Sequence, residues 1–284
     1  MRALVLAVAA LAVQPIVGAQ QPNFSTRREA VRVDVLVTDH GQPIAGLGPA
    51  DFDLLDNGVA QHVDLVSYEQ IPLNVILAFD TSDSVTGERL EHLRTAGEAV
   101  LSALKPGDQA ALVTFNHMIA QRAALSGELD RVRRALAQQT QPGETSLVDG
   151  VYTALTIGES DVGRALVIVF SDGVDTASWL TADMVLETAK RSDAVVYGVS
   201  LGGRVRFLRD MAAFTGGSVF DVDSTKNLST LFLKILDEFR HRYLVSFSPE
   251  GVSRSGWHRL EVKIKGRGAT IKARPGYLRG EDAR

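Results

Sequence analysis

Four near-continuous apolar runs mark the middle of the chain. They cover residues 73–79, 110–115, 165–170 and 194–201. Each has the length of a strand, and an apolar run without polar alternation is typical of a strand buried on both faces. Apolar residues at helical spacing separate these runs, in residues 90–104, 128–138, 146–157, 182–191, 207–214 and 228–239. Strands alternating with helices predict an α/β fold: a doubly wound, mostly parallel sheet flanked by helices.

The pattern differs on both sides of this region. Residues 31–37 alternate apolar and polar positions, which predicts a strand with one buried face. Further short strands are predicted before the central region at 52–55 and 62–66, with a hairpin signal at Asn57-Gly58, and after it at 243–247, 260–264 and 269–273. We expect the two flanks to pair into a small accessory β-sandwich-like unit. The predicted organisation is therefore a β segment at 26–70, an α/β domain at 71–240, a second β segment at 241–278 and a tail at 279–284.

The first nineteen residues are typical of a secretory signal peptide. A basic residue, Arg2, precedes an apolar run at 3–13, and small residues follow at 17–19. The run is shorter than the roughly 20 residues that a spanning helix needs, so we expect cleavage near Ala19/Gln20 and no transmembrane anchor afterwards. The chain has no cysteine, which excludes disulfides and thiolate metal sites. These features predict a secreted or periplasmic protein of bacterial type.

Composition narrows the class of partner. The chain has 284 residues, of which 45% are hydrophobic and 23% charged, as in an ordinary globular protein. Its formal net charge of −4 gives no reason to expect nucleic acid, because phosphate binding needs a basic face.

Oxygen-bearing side chains follow the first apolar run. Asp80, Ser82 and Ser84 occupy alternate positions of a loop, so that their side chains can converge on one point. Thr145 lies just before a predicted helix, and Asp172 directly follows a predicted strand. Open α/β sheets bind their ligands at the carboxyl ends of the strands. Hydroxyl and carboxylate oxygens together suit a hard divalent cation.

This constellation resembles the metal-ion-dependent adhesion site of the von Willebrand factor A family, which combines a D-x-S-x-S loop with a distant Thr and a distant Asp. The resemblance covers residues 72–239, and the order of predicted strands and helices agrees with that fold. It implies that Ser82, Ser84 and Thr145 ligate the metal, with Asp80 and Asp172 bound directly or through water. It favours Mg²⁺, with Mn²⁺ and Ca²⁺ as alternatives. The whole chain, including its RPGYL tail at 274–278, is similar to secreted bacterial VWFA-related domain proteins of the acidobacterial type.

The ligand chemistry implies a function. Neutral hydroxyl ligands leave the cation electrophilic, with a coordination position that an acidic group can fill. We therefore expect a secreted, metal-dependent protein-binding or adhesion module, not an enzyme, that captures an Asp or Glu carboxylate of a protein partner. The alternative is a structural or assembly scaffold of the cell envelope, in which the metal only stabilises the fold. The sequence does not separate the two, nor does it identify the partner.

Enzyme classes fit less well. Phe79-Asp80-Thr81-Ser82 resembles the active-site loop of aspartic proteases, but no second copy exists to share the proton. No G-x-S-x-G elbow of a serine hydrolase and no glycine-rich nucleotide motif follows a strand.

Residues around the predicted site would set specificity. The rim loops are 85–89, 116–119 and 174–179. Within them, His117 is expected at the edge that carries the metal, and Trp179 is either a contact residue or part of the core. By family analogy, the last helix, 228–239, either shifts when the site is liganded or serves only as a connector to the β tail.

Overall fold

The computed structural model describes residues 30–68, 71–141, 143–159, 163–203, 205–266 and 268–280. The predicted signal peptide at 1–19 lies outside these residues, as do residues 26–29 of the first predicted flanking segment and residues 281–284 of the predicted tail. The strands are β1 (Val31–Asp39), β2 (Gln42–Pro43), β3 (Phe52–Asp56), β4 (Val59–Gln61), β5 (Val63–Tyr68), β6 (Leu73–Asp80), β7 (Gln109–Phe115), β8 (Ile119–Ser126), β9 (Arg164–Ser171), β10 (Val195–Leu201), β11 (Ser218–Val222), β12 (Tyr243–Phe247), β13 (Gly256–Ile264), β14 (Thr270–Lys272) and β15 (Gly276–Arg279). The helices are α1 (Glu88–Ala103), α2 (Leu129–Leu136), α3 (Leu147–Gly158), α4 (Ala182–Ala189), α5 (Arg206–Thr215) and α6 (Leu228–Arg240).

A six-stranded sheet forms the centre of the molecule, in the order β11-β10-β9-β6-β7-β8. All neighbours pair in parallel except β7 and β8, which are antiparallel. Successive side chains of β6 enter two different cores: Val75 and Leu77 pack on one face, Ile76 and Ala78 on the other. Helices α1, α2 and α6 cover the first face, and α3, α4 and α5 the second. The predicted doubly wound, mostly parallel sheet is confirmed.

The flanking strands form two further sheets that pack into a sandwich. One sheet has the order β14-β1-β12-β5 with β2 beside β1, and the other has the order β15-β13-β3-β4. β1 from the first flank pairs with β12 from the second, and β3 pairs likewise with β13. Their apolar side chains share one core, centred on Val35, Phe52 and Tyr243. The expected pairing of the two flanks is confirmed.

The α/β domain is inserted between two neighbouring strands of this sandwich. β5 leads into the domain and β12 leaves it, and the two strands pair so that Tyr68 lies opposite Tyr243. The two aromatic rings are in contact, with centroids 4.7 Å apart. Entry and exit of the inserted domain therefore lie side by side.

The sandwich contacts the sheet at the end where the parallel strands begin, which we call the amino edge. Arg164, the first residue of β9, donates through Nε to Asp34 Oδ1 of β1 at 2.7 Å, and both side chains are buried. Arg242, fully buried, donates to Tyr197 Oη at 2.8 Å and to the Gly216 carbonyl at 2.7 Å. The opposite end of the sheet, where the parallel strands finish, is the carboxyl edge, and it carries the candidate site. A strand of eight residues spans about 25 Å, so the two edges are well separated.

Among the helices of the described ranges, none combines the length and the apolar character that crossing a membrane requires.

Candidate metal site at the carboxyl edge

Asp80 is the innermost of the predicted ligands. It ends β6, is fully buried, and accepts hydrogen bonds from the Ser82 backbone N–H at 2.9 Å and from Ser171 Oγ at 2.7 Å. Burial raises the pKa of the Asp80 carboxyl above its ordinary value, although hydrogen bonds from Ser82 and Ser171 act to lower it; the nearby negative charge of Asp172 raises it further. A carboxylate in this position is stabilised by added positive charge.

The two serines connect this loop to the loop after β9. Ser82 Oγ and Ser84 Oγ lie 3.3 Å apart, and Ser84 Oγ donates to Asp172 Oδ1 at 2.5 Å. Ser82 is buried, whereas Ser84 is exposed. The site is therefore closed at Asp80 and open to solvent at Ser84.

Thr145 is held on the third loop, just before α3. Its hydroxyl faces Gly173, because a Cβ added to that glycine would lie 3.6 Å from Thr145 Oγ1. The Asp83 backbone N–H donates to the Gly143 carbonyl at 2.9 Å, which ties the third loop to the first. The structure thus brings all five predicted residues to one edge: Ser82, Ser84 and Asp172 are linked by side-chain hydrogen bonds, Asp80 lies beneath them, and Thr145 faces the Asp172 loop.

The donor set fits a hard divalent cation. Three hydroxyls and two carboxylates are grouped at the carboxyl edge of the sheet, and such oxygens suit Mg²⁺, Mn²⁺ and Ca²⁺. Within the described part of the chain, no group of three or more His, Cys, Asp or Glu side chains is placed to hold a metal. The candidate site instead combines hydroxyl with carboxylate oxygens, which is the donor set that the sequence pattern predicts.

Two residues at this site make contacts with the predicted ligands that the sequence did not indicate, although Arg89 falls in the predicted rim loop 85–89. Ser171 belongs to the Ser-Asp-Gly loop noted in the sequence, yet its hydrogen bond to Asp80 depends on β6 and β9 being neighbours. Arg89, in the first turn of α1, donates through Nη1 to Asp172 Oδ2 at 3.1 Å and to the Ser84 carbonyl at 3.1 Å. Neither contact has a local sequence signal.

His117 lies at the predicted edge and packs against the backbone of the third loop. Its Nδ1 is 2.0 Å from the position that a Cβ on Gly143 would take, so the imidazole ring occupies the space that this glycine leaves open. The ring thus contacts the loop that carries Thr145, and the side chain is exposed.

Trp179 is the most exposed of the large apolar side chains around this edge, at 94%. Its backbone is nevertheless fixed, since the N–H groups of Trp179 and Leu180 both donate to the Asp149 carboxylate at 2.9 Å. Val174 in the same loop is 74% exposed, and Met118 in the β7–β8 turn is 62% exposed. Of the two roles considered for Trp179, the structure supports that of a surface residue.

Comparisons with known proteins agree with this fold. Residues 74–234 match the model of the von Willebrand factor type A domain. The curated relatives include inter-alpha-trypsin inhibitor heavy chain H1 of Sus scrofa, 23% identical over 223 residues, which is 71% of this chain and 25% of the relative. The same protein of Bos taurus is 22% identical over 215 residues, 68% of this chain and 24% of the relative. The chain thus spans about a quarter of the length of the curated relatives it matches.

Solved structures show the same fold at low identity. Proximal thread matrix protein 1 from the mussel byssus, with a zinc-occupied MIDAS motif, superposes with a TM-score of 0.55 at 15% identity over 65% of this chain and 49% of that one. A von Willebrand factor type A protein from Catenulispora acidiphila gives 0.53 at 14% identity over 87% of this chain and 76% of that one. The second match covers more of this chain than the family model does, so the likeness in fold extends beyond the central domain.

Proposed function

Because this chain belongs to the von Willebrand factor type A domain family, we propose that it is a binding module and not an enzyme, whose carboxyl edge holds a divalent cation and captures a carboxylate of a protein partner. The observation that carries this proposal is the convergence of Ser82, Ser84 and Asp172 through contacts of 3.3 and 2.5 Å, above a buried Asp80. Mg²⁺ is the preferred ion, with Mn²⁺ and Ca²⁺ as alternatives.

The ligands explain why such a cation would attract an acid. Hydroxyl oxygens carry no formal charge, so a divalent ion held by Ser82, Ser84 and Thr145 keeps most of its positive charge. Asp80 is buried and Ser84 is exposed, so a partner group approaches from the Ser84 side. A carboxylate is a hard oxygen ligand, so it suits the open coordination position of such an ion.

The exposed side chains of the rim loops favour a protein as the partner over a small ion alone. Trp179 is displayed on a hydrogen-bonded loop next to the loop of Thr145, whose carbonyl accepts from the Thr176 N–H at 2.8 Å. Exposed aromatic residues on fixed loops are typical anchors of protein interfaces. The relatives and structural neighbours are consistent with this class: one is an inter-alpha-trypsin inhibitor heavy chain, and another belongs to a mussel thread. We place the protein outside the cytoplasm, secreted or periplasmic, on the pattern of residues 1–19.

Metal binding by the full chain is the first test. Calorimetric titration with Mg²⁺ and Mn²⁺ is expected to show saturable binding, and Ser82→Ala/Ser84→Ala is expected to weaken it by more than about 100-fold, because even residues beyond the ligands change metal affinity by about 10- to 100-fold. The matched control is Ser102→Ala/Ser248→Ala, since those hydroxyls lie on α1 and in the sandwich and bond to Glu98 and Asp64. Binding that survives in the ligand variant would place the metal elsewhere.

Carboxylate capture is tested separately with a displayed library of random peptides. Selection in Mg²⁺ is expected to enrich peptides that contain Asp or Glu, and their binding should disappear in chelator and on Asp→Asn or Glu→Gln replacement. If chelation lowers the melting temperature while peptide binding persists, the scaffold role is the correct one and the metal only stabilises the fold.

A further inference from the structure

Arg89 places a positive charge directly on the candidate metal site. Its Nη1 lies 3.1 Å from Asp172 Oδ2 and 3.1 Å from the Ser84 carbonyl oxygen. The Arg89 side chain is 51% exposed, whereas that of Asp172 is only 3% exposed. The guanidinium therefore covers the carboxylate from the solvent side.

Both oxygens of Asp172 are engaged by neighbouring side chains. Oδ1 accepts from Ser84 and Oδ2 accepts from Arg89. A divalent cation that uses Asp172, directly or through water, draws on the same negative charge that Arg89 already neutralises. Two cations that share one carboxylate repel each other, so each weakens the binding of the other.

The position of Arg89 in its helix supports a role at the site. The first turn of a helix favours acidic residues because of the helix dipole, and α1 has Glu88 and Glu91 there. An arginine in that turn is unfavourable for the helix itself. A residue that is unfavourable for its own helix is expected where it serves another purpose. The residue that compensates the charge of Arg89 is Asp172.

We propose that Arg89 is a resident cation of this site, which competes with the divalent metal for Asp172 and keeps metal affinity low. The inference rests on the proposed function in one respect, since it assumes that these loops bind a metal. Its consequence is that the site fills only when the metal is plentiful or when a further ligand favours the loaded form.

The test is titration of the full chain with Mg²⁺ and with Mn²⁺, for the wild type and three variants. Arg89→Gln keeps a polar side chain of similar length without the charge, and it should bind both metals about tenfold more tightly; screening at a half-exposed position limits the effect to that order. Arg89→Lys retains the charge and should bind like the wild type. Arg94→Gln is the matched control, because Arg94 lies on the same helix and bonds to Glu91 and to the Gln138 carbonyl; its metal affinity should not change.

Asp172→Asn provides a second, independent measurement. If Arg89 competes for this carboxylate, then Arg89→Gln should tighten metal binding less once Asp172 is neutral than it does in the wild-type background, which a double-mutant cycle measures. A purely structural role for Arg89 predicts the opposite sign, a loss of affinity in Arg89→Gln together with a lower melting temperature.

The outcomes separate this inference from the proposed function. Equal or weaker metal binding by Arg89→Gln, with normal binding by the wild type, overturns the competition and leaves the metal site intact. Tighter binding by Arg89→Gln without capture of acidic peptides supports the competition and removes the adhesion role. Absence of metal binding in every variant overturns both.

Discussion

Asp80 and Glu238 are acidic residues near opposite edges of the same sheet, and the pKa values of their carboxyl groups are shifted in opposite directions. Glu238, on α6 near the amino edge, accepts from Tyr197 Oη at 2.6 Å and from Lys272 Nζ at 3.0 Å, and Arg242 lies 3.9 Å away. Burial alone would raise the pKa of Glu238, but the hydrogen bonds of Tyr197 and Lys272 and the charges of Lys272 and Arg242 outweigh burial and lower it. Asp80 accepts from the neutral donors Ser82 and Ser171, and burial raises the pKa of its carboxyl.

The difference depends on whether the protein places a positively charged side chain directly beside the carboxylate. At the amino edge, arginine and lysine side chains from both units pair with the carboxylates of Asp34 and Glu238. At the carboxyl edge, Asp80 accepts hydrogen bonds from the Ser82 N–H and the Ser171 hydroxyl, whereas the cation that the described residues place there, Arg89, bonds to Asp172 instead. Added positive charge, such as that of the metal proposed above, would stabilise the Asp80 carboxylate.

The largest effect on the unfolding free energy is expected from breaking the buried ion pair between Arg164 and Asp34 at the amino edge. Arg164→Met leaves the Asp34 carboxylate buried without its partner, and removal of one member of a buried pair costs about 3–5 kcal/mol of unfolding free energy. Urea denaturation of the full chain measures it. The control is Arg133→Met, which removes exposed ion pairs to Glu98 and Asp130 and should cost less than about 1 kcal/mol.

A double variant sharpens this prediction. Asp34→Ala/Arg164→Met removes both charges, so it should be less destabilising than the sum of the two single changes. Simple additivity would mean that the two side chains contribute independently and that the pair is not coupled.

A smaller effect on the unfolding free energy is expected when the pH is lowered and Glu238 becomes protonated. Because its folded pKa lies below the unfolded value, ionised Glu238 stabilises the folded state at pH values above the ordinary glutamate pKa of about 4.3, and this contribution is lost as the pH falls through the lowered folded pKa. The difference in unfolding free energy between wild type and Glu238→Gln should therefore be largest near neutral pH and shrink in acid. Glu98→Gln, at an exposed pair, serves as the surface comparison; a gap for Glu238→Gln that stays constant with pH would contradict the assignment.

The smallest effect on the fold is expected at Trp179. Since its side chain is almost fully exposed, Trp179→Ala should change the unfolding free energy by no more than about 0.5 kcal/mol. The same change should weaken binding of the selected acidic peptides by more than about tenfold if the side chain is an interface anchor. Trp257→Ala is a useful comparison, because the Trp257 ring of β13 in the sandwich packs on Phe214 of α5 in the inserted domain. Unaltered peptide binding by Trp179→Ala would remove this residue from the interface.

The central sheet was predictable because burial leaves a clear signature. The apolar run at 73–79 corresponds to β6 (Leu73–Asp80), whose eight residues are all buried. The edge strands have no such run: β8 (Ile119–Ser126) is partly exposed along its length, and β11 (Ser218–Val222) is short and also partly exposed. Both were missed, since neither a continuous apolar run nor a clean alternation identifies a half-covered strand at the edge of a sheet.

The candidate ligands were predictable for a different reason. Asp80, Ser82 and Ser84 lie within five residues, so their convergence depends on local geometry, and Asp172 follows the strand adjacent to theirs. The contacts of Arg164 and Arg242 with the sandwich join residues far apart in the chain. A single arginine at the start of a buried strand does not reveal which unit will cover it.

The adjacent connections of the inserted domain have a mechanical consequence. Because Tyr68 and Tyr243 are register partners in neighbouring strands, tension applied along the sandwich passes directly across the β5–β12 ladder and bypasses the inserted domain. A load delivered to the inserted domain instead enters the sandwich at one end of this ladder, because the C-terminal end of β5 and the N-terminal end of β12 lie together there.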